Sequence, residues 1–294
     1  MRVRNSTLVL FICAALITGR VSAQQIDSLQ VNKKRLTKFV VFSSVAYTGT
    51  MIGLSELWYK DSGHQSFRFF NDNAEWKQID KLGHFYAGFY FSYGTSKALR
   101  WSNVPARKSD LIGAATGFLI LTPIEIFDGF SDAYGASTGD LMANAAGSVF
   151  FLGQSLLWNE TRIYPKFSFH QTNYAHLRPN TLGDNFSSEL LKDYNGQTYW
   201  ICADMDKFMK FPKWLNLAVG YGAQGMVYAR DSQNNEAGYS AYRQYYLSVD
   251  FDLTGIRTSS KVLKTFFRLV SLVKLPAPAM ELSKKGVKFH PLYF

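Results

Sequence analysis

Three pairs of polar side chains stand at i,i+3 or i,i+4 spacing within or beside apolar stretches: Asp80 with His84, Glu125 with Asp128, and Asp140 with Asn144. On a helix that spacing puts both members of a pair on one face. A lone charge in such surroundings is costly, so the three faces are expected to converge and satisfy one another. Lys81, next to Asp80, would neutralise part of the acid excess. An imidazole among several carboxylates could bind a divalent cation, and a carboxylate with a raised pKa beside His84 could do general acid–base work. The leading expectation is plainer: a buried polar network, with Asp80 and Asp140 near helix starts where acids are favoured. A ligand or headgroup site comes second and catalysis third. Asp140 itself is expected to cap backbone donors while facing Asn144.

Four apolar segments must position these residues. Phe39 to Ser55 is uncharged and follows Lys33-Lys34-Arg35 and Lys38, which predicts a helix with a cationic entrance. Gly63 to Asn73 reads as a loop. From Gln78 to Trp101, Leu82, Phe85, Phe89 and Tyr93 recur at helical spacing. Asp110 to Phe127 holds Gly113 and Gly117, a spacing that lets helices approach closely, and Pro123, which should kink or end the helix. A turn at Gly129 to Gly139 leads to Leu141–Trp158, and the expected architecture is an N-terminal four-helix bundle-like domain.

After Trp158 the period changes from 3.6 to two. Tyr245, Leu247, Val249, Phe251 and Leu253 alternate with polar residues, as do Leu217, Val219 and Tyr221 with Asn216, Ala218 and Gly220. Weaker strands are expected at Lys166–His170, Thr198–Ala203 and the last residues before Phe294. Between them, Lys261, Lys264 and Arg268 share one face of a helical pattern and Val262, Phe266, Val270 and Val273 another. This basic amphipathic helix is expected to cover the sheet, with a membrane surface as its alternative. The fold class is therefore α+β: a helical domain over 24–158, then a small antiparallel sheet with an amphipathic helix over 159–294.

Residues 1–23 read as a signal peptide, because Arg2 and Arg4 precede the apolar run Leu8 to Ile17 and Val21-Ser22-Ala23 supplies small residues at a cleavage site. Losing Arg2, Arg4 and Arg20, with no acid among them, takes the formal charge from +10 to +7. Cys13 lies mid-run, so an unlipidated mature chain starting at Gln24 is expected, and Cys202 alone cannot make an intrachain disulfide. The four uncharged runs count 17, 15, 14 and 19 residues, against roughly 20 for a hydrocarbon core. A cleaved signal would also put the cationic entrance on the exported side, against the positive-inside tendency. A helical domain at the periplasmic face of a membrane, or partly embedded in it, fits better than an inner-membrane bundle.

The pieces Asp80-Lys81-Leu82-Gly83-His84-Phe85, Glu125-Ile126-Phe127-Asp128-Gly129 and Asp140-Leu141-Met142-Ala143-Asn144-Ala145-Ala146-Gly147 occur in that order. Together they resemble the YfiM-like family of uncharacterised bacterial envelope proteins and, more distantly, VanZ-like membrane proteins. The resemblance covers about Gln78 to Trp158 and implies an envelope location with no established activity. YfiM-like members are often predicted lipoproteins, whereas this chain has no lipidation cysteine, and the arginine of VanZ-like proteins is absent between Asp128 and Asp140.

Other signals are weaker. Gly220-Tyr-Gly222-Ala-Gln-Gly225 matches a dinucleotide fingerprint but lies within a strand pattern with no helix after it. His64, His170, His176 and His290 have no ligand spacing. Phe294 resembles an outer-membrane barrel terminus, but His290 and Pro291 break the alternation, and five or six strands fall short of eight. The expectation is an exported, non-enzymatic envelope protein of the periplasm or outer membrane of a Gram-negative bacterium. It would need no cofactor and bind no nucleic acid; its partner would be an anionic lipid or lipopolysaccharide surface, with a protein partner left open. The alternative is an enzyme acting on a lipid or cell-wall headgroup through His84, Glu125, Asp128 and Asp140.

Overall fold

A computed structural model describes residues 30–58 and 63–294; the signal segment and its cleavage site lie outside them. The longer helices are α1 (Lys33–Trp58), α2 (Ile79–Trp101), α3 (Ala106–Leu119), α4 (Thr122–Phe130) and α5 (Thr138–Trp158). Short helices α6 (Pro179–Leu182), α7 (Phe186–Lys192) and α8 (Asp231–Glu236) sit in connections, and α9 (Lys261–Val270) is the amphipathic helix. The strands are β1 (Phe69–Phe70), β2 (Ala136–Ser137), β3 (Ile163–Phe169), β4 (Gln197–Ala203), β5 (Leu215–Gln224), β6 (Tyr242–Phe251), β7 (Ala277–Ser283) and β8 (Gly286–Tyr293).

The fold is α+β, but its helical part differs from the expected four-helix bundle. α2, α3 and α5 form the tightly packed group, whereas α1 buries none of its residues. Glycine is what lets the three approach. A Cβ on Gly147 would lie 2.1 Å from the Phe85 carbonyl, and one on Gly117 would lie 2.5 Å from that of Gly88. Ser92, Ser96, Ser148 and Ser155 are buried in the same interior, beside Phe89 and Phe151. Asp110 on α3 is buried there too, bonded to Ser96 and Arg100 of α2 and Ser155 of α5. α1 runs alongside, tied by Tyr47 to the Ile120 carbonyl at 2.9 Å and by Arg35 to that of Trp101 at 2.9 Å. The third apolar segment is two helices, because Pro123 lies in the first turn of α4 and the chain breaks before it.

Strands β3 to β8 form a six-stranded antiparallel meander in chain order. β7 has no counterpart among the expected strands, because Pro276 and Pro278 interrupt its pattern. The sheet curls about one face. Tyr293 on β8 shares a 2.9 Å hydrogen bond with Thr198 on β4, and Lys166 on β3 reaches Asp250 on β6 at 2.8 Å. That concave face buries Lys166, Asn216, Gln244, Asp250 and Glu281 around Trp200 and Tyr246. The alternating apolar residues point the other way: Val219, Leu247, Leu282 and Phe289 are 55%, 57%, 56% and 62% exposed. This inverts the usual half-solvated antiparallel sheet, whose apolar face is the buried one.

α2 lies on the β3–β5 end of the convex face, where Tyr86 meets Phe167 and Tyr199, and Ile79 packs with Ala223 and Met226. Asn32 to Phe294 thus makes one unit. Contrary to the expectation that it covers the sheet, α9 buries none of its residues. Its Val262, Phe266 and Leu269 are exposed.

Candidate functional site

Two short parallel strands bring the loops before α2 and α5 together, pairing Phe69 with Ala136 and Phe70 with Ser137. Asp72 and Ser137 thereby arrive beside the start of α2. That start is unusual. Trp76, Lys77 and Gln78 all have positive φ, at 46°, 52° and 63°, which costs an L residue roughly 1–2 kcal/mol each. Tertiary bonds hold the turn: the Trp76 amide donates to the Ala229 carbonyl at 2.7 Å, Tyr221 donates to the Lys77 carbonyl at 2.6 Å, and Lys77 pairs with Asp231 at 2.5 Å. The turn sets the direction from which Asp80, Lys81 and His84 enter the site.

Lys81 is the hub. Its ammonium lies 2.6 Å from Asp72, 3.0 Å from Asp80 and 2.9 Å from Asp140. Burial would lift the Asp72 carboxyl, but bonds from Lys81 and Ser137 outweigh it and hold that carboxyl below its usual range. Asp80 is pushed up to about 6 by burial, with Lys81 offsetting part of the rise and the Asp140 charge adding to it. Burial opposes the Lys81 charge, yet Asp80 and Asp140 overcome that and raise its pKa.

Ser137 is the second hub. Its hydroxyl donates to Asp72 at 2.6 Å and accepts from the Asp140 amide at 3.1 Å, while its own amide donates to Glu125 Oε2 at 2.9 Å. The cap of α5 is therefore the Ser137 side chain, and the Asp140 carboxylate, expected to be the cap, faces Lys81 instead. Glu125 is 2% exposed. Burial, then the Asp140 charge, raises its carboxyl to about 8. Its Oε1 has no hydrogen-bond partner among the described residues.

His84 links both hubs. Nδ1 lies 3.0 Å from Asn144 Oδ1, and Nε2 lies 3.7 Å from Asp140 Oδ1 and 3.9 Å from Glu125 Oε1. The structure thus brings Asp80, Lys81, His84, Glu125, Asp140 and Asn144 into one cluster. Asp80, His84 and Asp140 of this cluster line a pocket of about 290 Å³ together with Asp128, Trp58, Phe70, Tyr134 and Tyr194. Asp72 and Ser137 had no signal in the sequence, since both come from loops and only the β1–β2 pairing delivers them.

The cluster side chains, from Asp72 to Asn144, fall within one span. Residues 67–154 match the family model DUF2279, described as a predicted periplasmic lipoprotein. Over that span the chain is similar to an uncharacterised envelope family, which agrees with an exported protein of the periplasm or outer membrane. The lipid in that description differs from the unlipidated chain expected above, and the residues concerned lie outside the described ones. No curated protein and no solved structure matches.

Elsewhere, His290 pairs with Glu281 at 2.8 Å on the concave side of the sheet. The glycine fingerprint lies in β5, where a Cβ on Gly220 would strike the Trp200 ring. Lys261, Lys264 and Arg268 on α9 are exposed to solvent.

Proposed function

We propose that this is a non-enzymatic envelope protein seated partly in a membrane surface, with lipid against its apolar exterior and anionic headgroups at Lys261, Lys264 and Arg268. The sheet polarity carries the reading: charged and amide side chains fill the concave side, and aliphatic ones cover the outside, a large exposed apolar surface of the kind that marks membrane contact. The helices repeat the pattern, with serines and Asp110 inside and Val45, Leu111, Val149 and Leu157 exposed. Among the described residues, three stretches, Lys33–Trp58, Ala106–Phe130 and Thr138–Trp158, are long and apolar enough to cross a membrane. α9 adds a basic edge to an exposed apolar stripe, the composition of an interfacial helix. A non-enzymatic role is supported by how the cluster ties itself together, with Lys81 held by three carboxylates and His84 by Asn144.

Flotation of the detergent-purified protein with phosphatidylglycerol vesicles tests this. Wild type is expected to float with the vesicles and stay bound at high salt, and Val219→Asp combined with Leu247→Asp is expected to sediment with its fold intact. Wild type that stays in the aqueous fraction overturns the reading.

A further inference from the structure

We infer that His84 Nε2, Glu125 Oε1 and Asp140 Oδ1 form a binding site for a first-row divalent cation of the zinc type, beside the pocket that His84 and Asp140 line. One ligand atom from each of the three residues lies within 4.8 Å of the other two. The orientation of His84 is the first argument. With Asn144 Oδ1 accepting from Nδ1–H at 3.0 Å, the Nε2 lone pair points at two carboxylates. A cation held between them, like a proton, relieves that convergence. The amide that fixes the ring is also the kind of outer contact that orients a metal-bound histidine.

Glu125 gives the second, independent argument. It is almost wholly buried, its Oε2 is engaged by the Ser137 amide, and its Oε1, 3.9 Å from His84 Nε2, has no hydrogen-bond partner among the described residues. Buried polar atoms rarely stay unpartnered. The neighbouring acidic group of Asp72, Asp80 and Asp140 carries no such proposal, because the Lys81 ammonium already sits among its oxygens.

Ligand type and size choose the ion. An imidazole with two carboxylates suits first-row transition ions better than magnesium or calcium. Zinc bonds of about 2.0–2.2 Å at tetrahedral angles set neighbouring donors about 3.3–3.5 Å apart. The 3.7 and 3.9 Å separations here need to close by only a few tenths of an ångström. Asp140 Oδ1 is shared with Lys81, which weakens it as a ligand, so His84 and Glu125 should dominate affinity.

Calorimetric titration of the chelator-stripped, detergent-purified full chain with Zn²⁺ tests the site. One equivalent is expected to bind, His84→Gln and Glu125→Gln are each expected to weaken binding at least about tenfold, and His176→Gln is expected to leave it unchanged. Should either site variant unfold by circular dichroism, X-ray absorption on zinc-loaded wild type decides, and it should reveal one imidazole with oxygen donors. Folded wild type taking up no stoichiometric zinc, affinity unchanged in both folded variants, or bound zinc without an imidazole would overturn the inference. The first outcome would mean that a proton, and not a metal ion, occupies that position.

Discussion

Lys166 and Asp250 meet 2.8 Å apart on the concave side of the sheet, with side chains 4% and 0% exposed. Asn216 donates to the same Asp250 oxygen at 3.3 Å. Removing one member of such a pair strands the other charge, at about 3–5 kcal/mol. Lys166→Met and Asp250→Leu are each expected to destabilise by that amount, and the double variant to recover more than half of the summed loss. Denaturant unfolding of the four proteins measures this coupling. Additive losses would mean that the two charges do not compensate each other.

In the helical cluster, the number of partners ranks the variants. Asp140→Ala leaves Lys81 with Asp72 and Asp80, whereas Lys81→Met leaves three carboxylates without their shared cation. Lys81→Met is therefore expected to cost about 3–5 kcal/mol and Asp140→Ala distinctly less. Ser137→Ala should lose about 0.5–2 kcal/mol through the cap alone, and more because Asp72 loses its donor. Thermal unfolding midpoints give the order, and Asp140→Ala emerging as the worst of the three would refute it.

Asp204 predicts a pH dependence. Burial first, then Asp206 and Asp252 beside it, raises its carboxyl to about 7. In the unfolded chain an aspartate ionises near about 3.9. The folded state binds the proton more tightly, so the stability contributed is complete at low pH and declines as pH rises from about 4 to about 7. Asp204→Asn should remove that decline and gain on wild type progressively across this window. Unfolding at pH 5 and pH 8 checks it: the advantage must be larger at pH 8.

α9 makes the last prediction. Lys261, Lys264 and Arg268 are all exposed, and a basic residue near an anionic surface contributes about 1 kcal/mol. The triple glutamine variant is expected to bind phosphatidylglycerol vesicles roughly a hundredfold more weakly than wild type, with a shallower salt dependence. Binding to zwitterionic vesicles should be nearly unaffected. Equal losses on both vesicle types would assign the effect to folding.

Local pattern alone determined much of the secondary structure. Leu82, Phe85, Phe89 and Tyr93 mark α2, Pro123 marks the break before α4, and the alternations at Leu217–Tyr221 and Tyr245–Phe251 mark β5 and β6, because side-chain period depends only on the nearby backbone. The pairs Asp80–His84 and Asp140–Asn144 were legible for the same reason, each occupying one face of one helix. Tertiary structure decided what pattern cannot encode. A period of two says that Val219 and Ala218 face opposite ways, but not which of them faces in, and the curl that joins Lys166 to Asp250 and Tyr293 to Thr198 chose the polar side. Asp72 and Ser137 come from separate loops, and only the pairing of Phe69 with Ala136 carries them to Lys81. α1 reads as a bundle helix from its apolar content and yet buries nothing, because composition records what a segment is made of while burial depends on what lies against it.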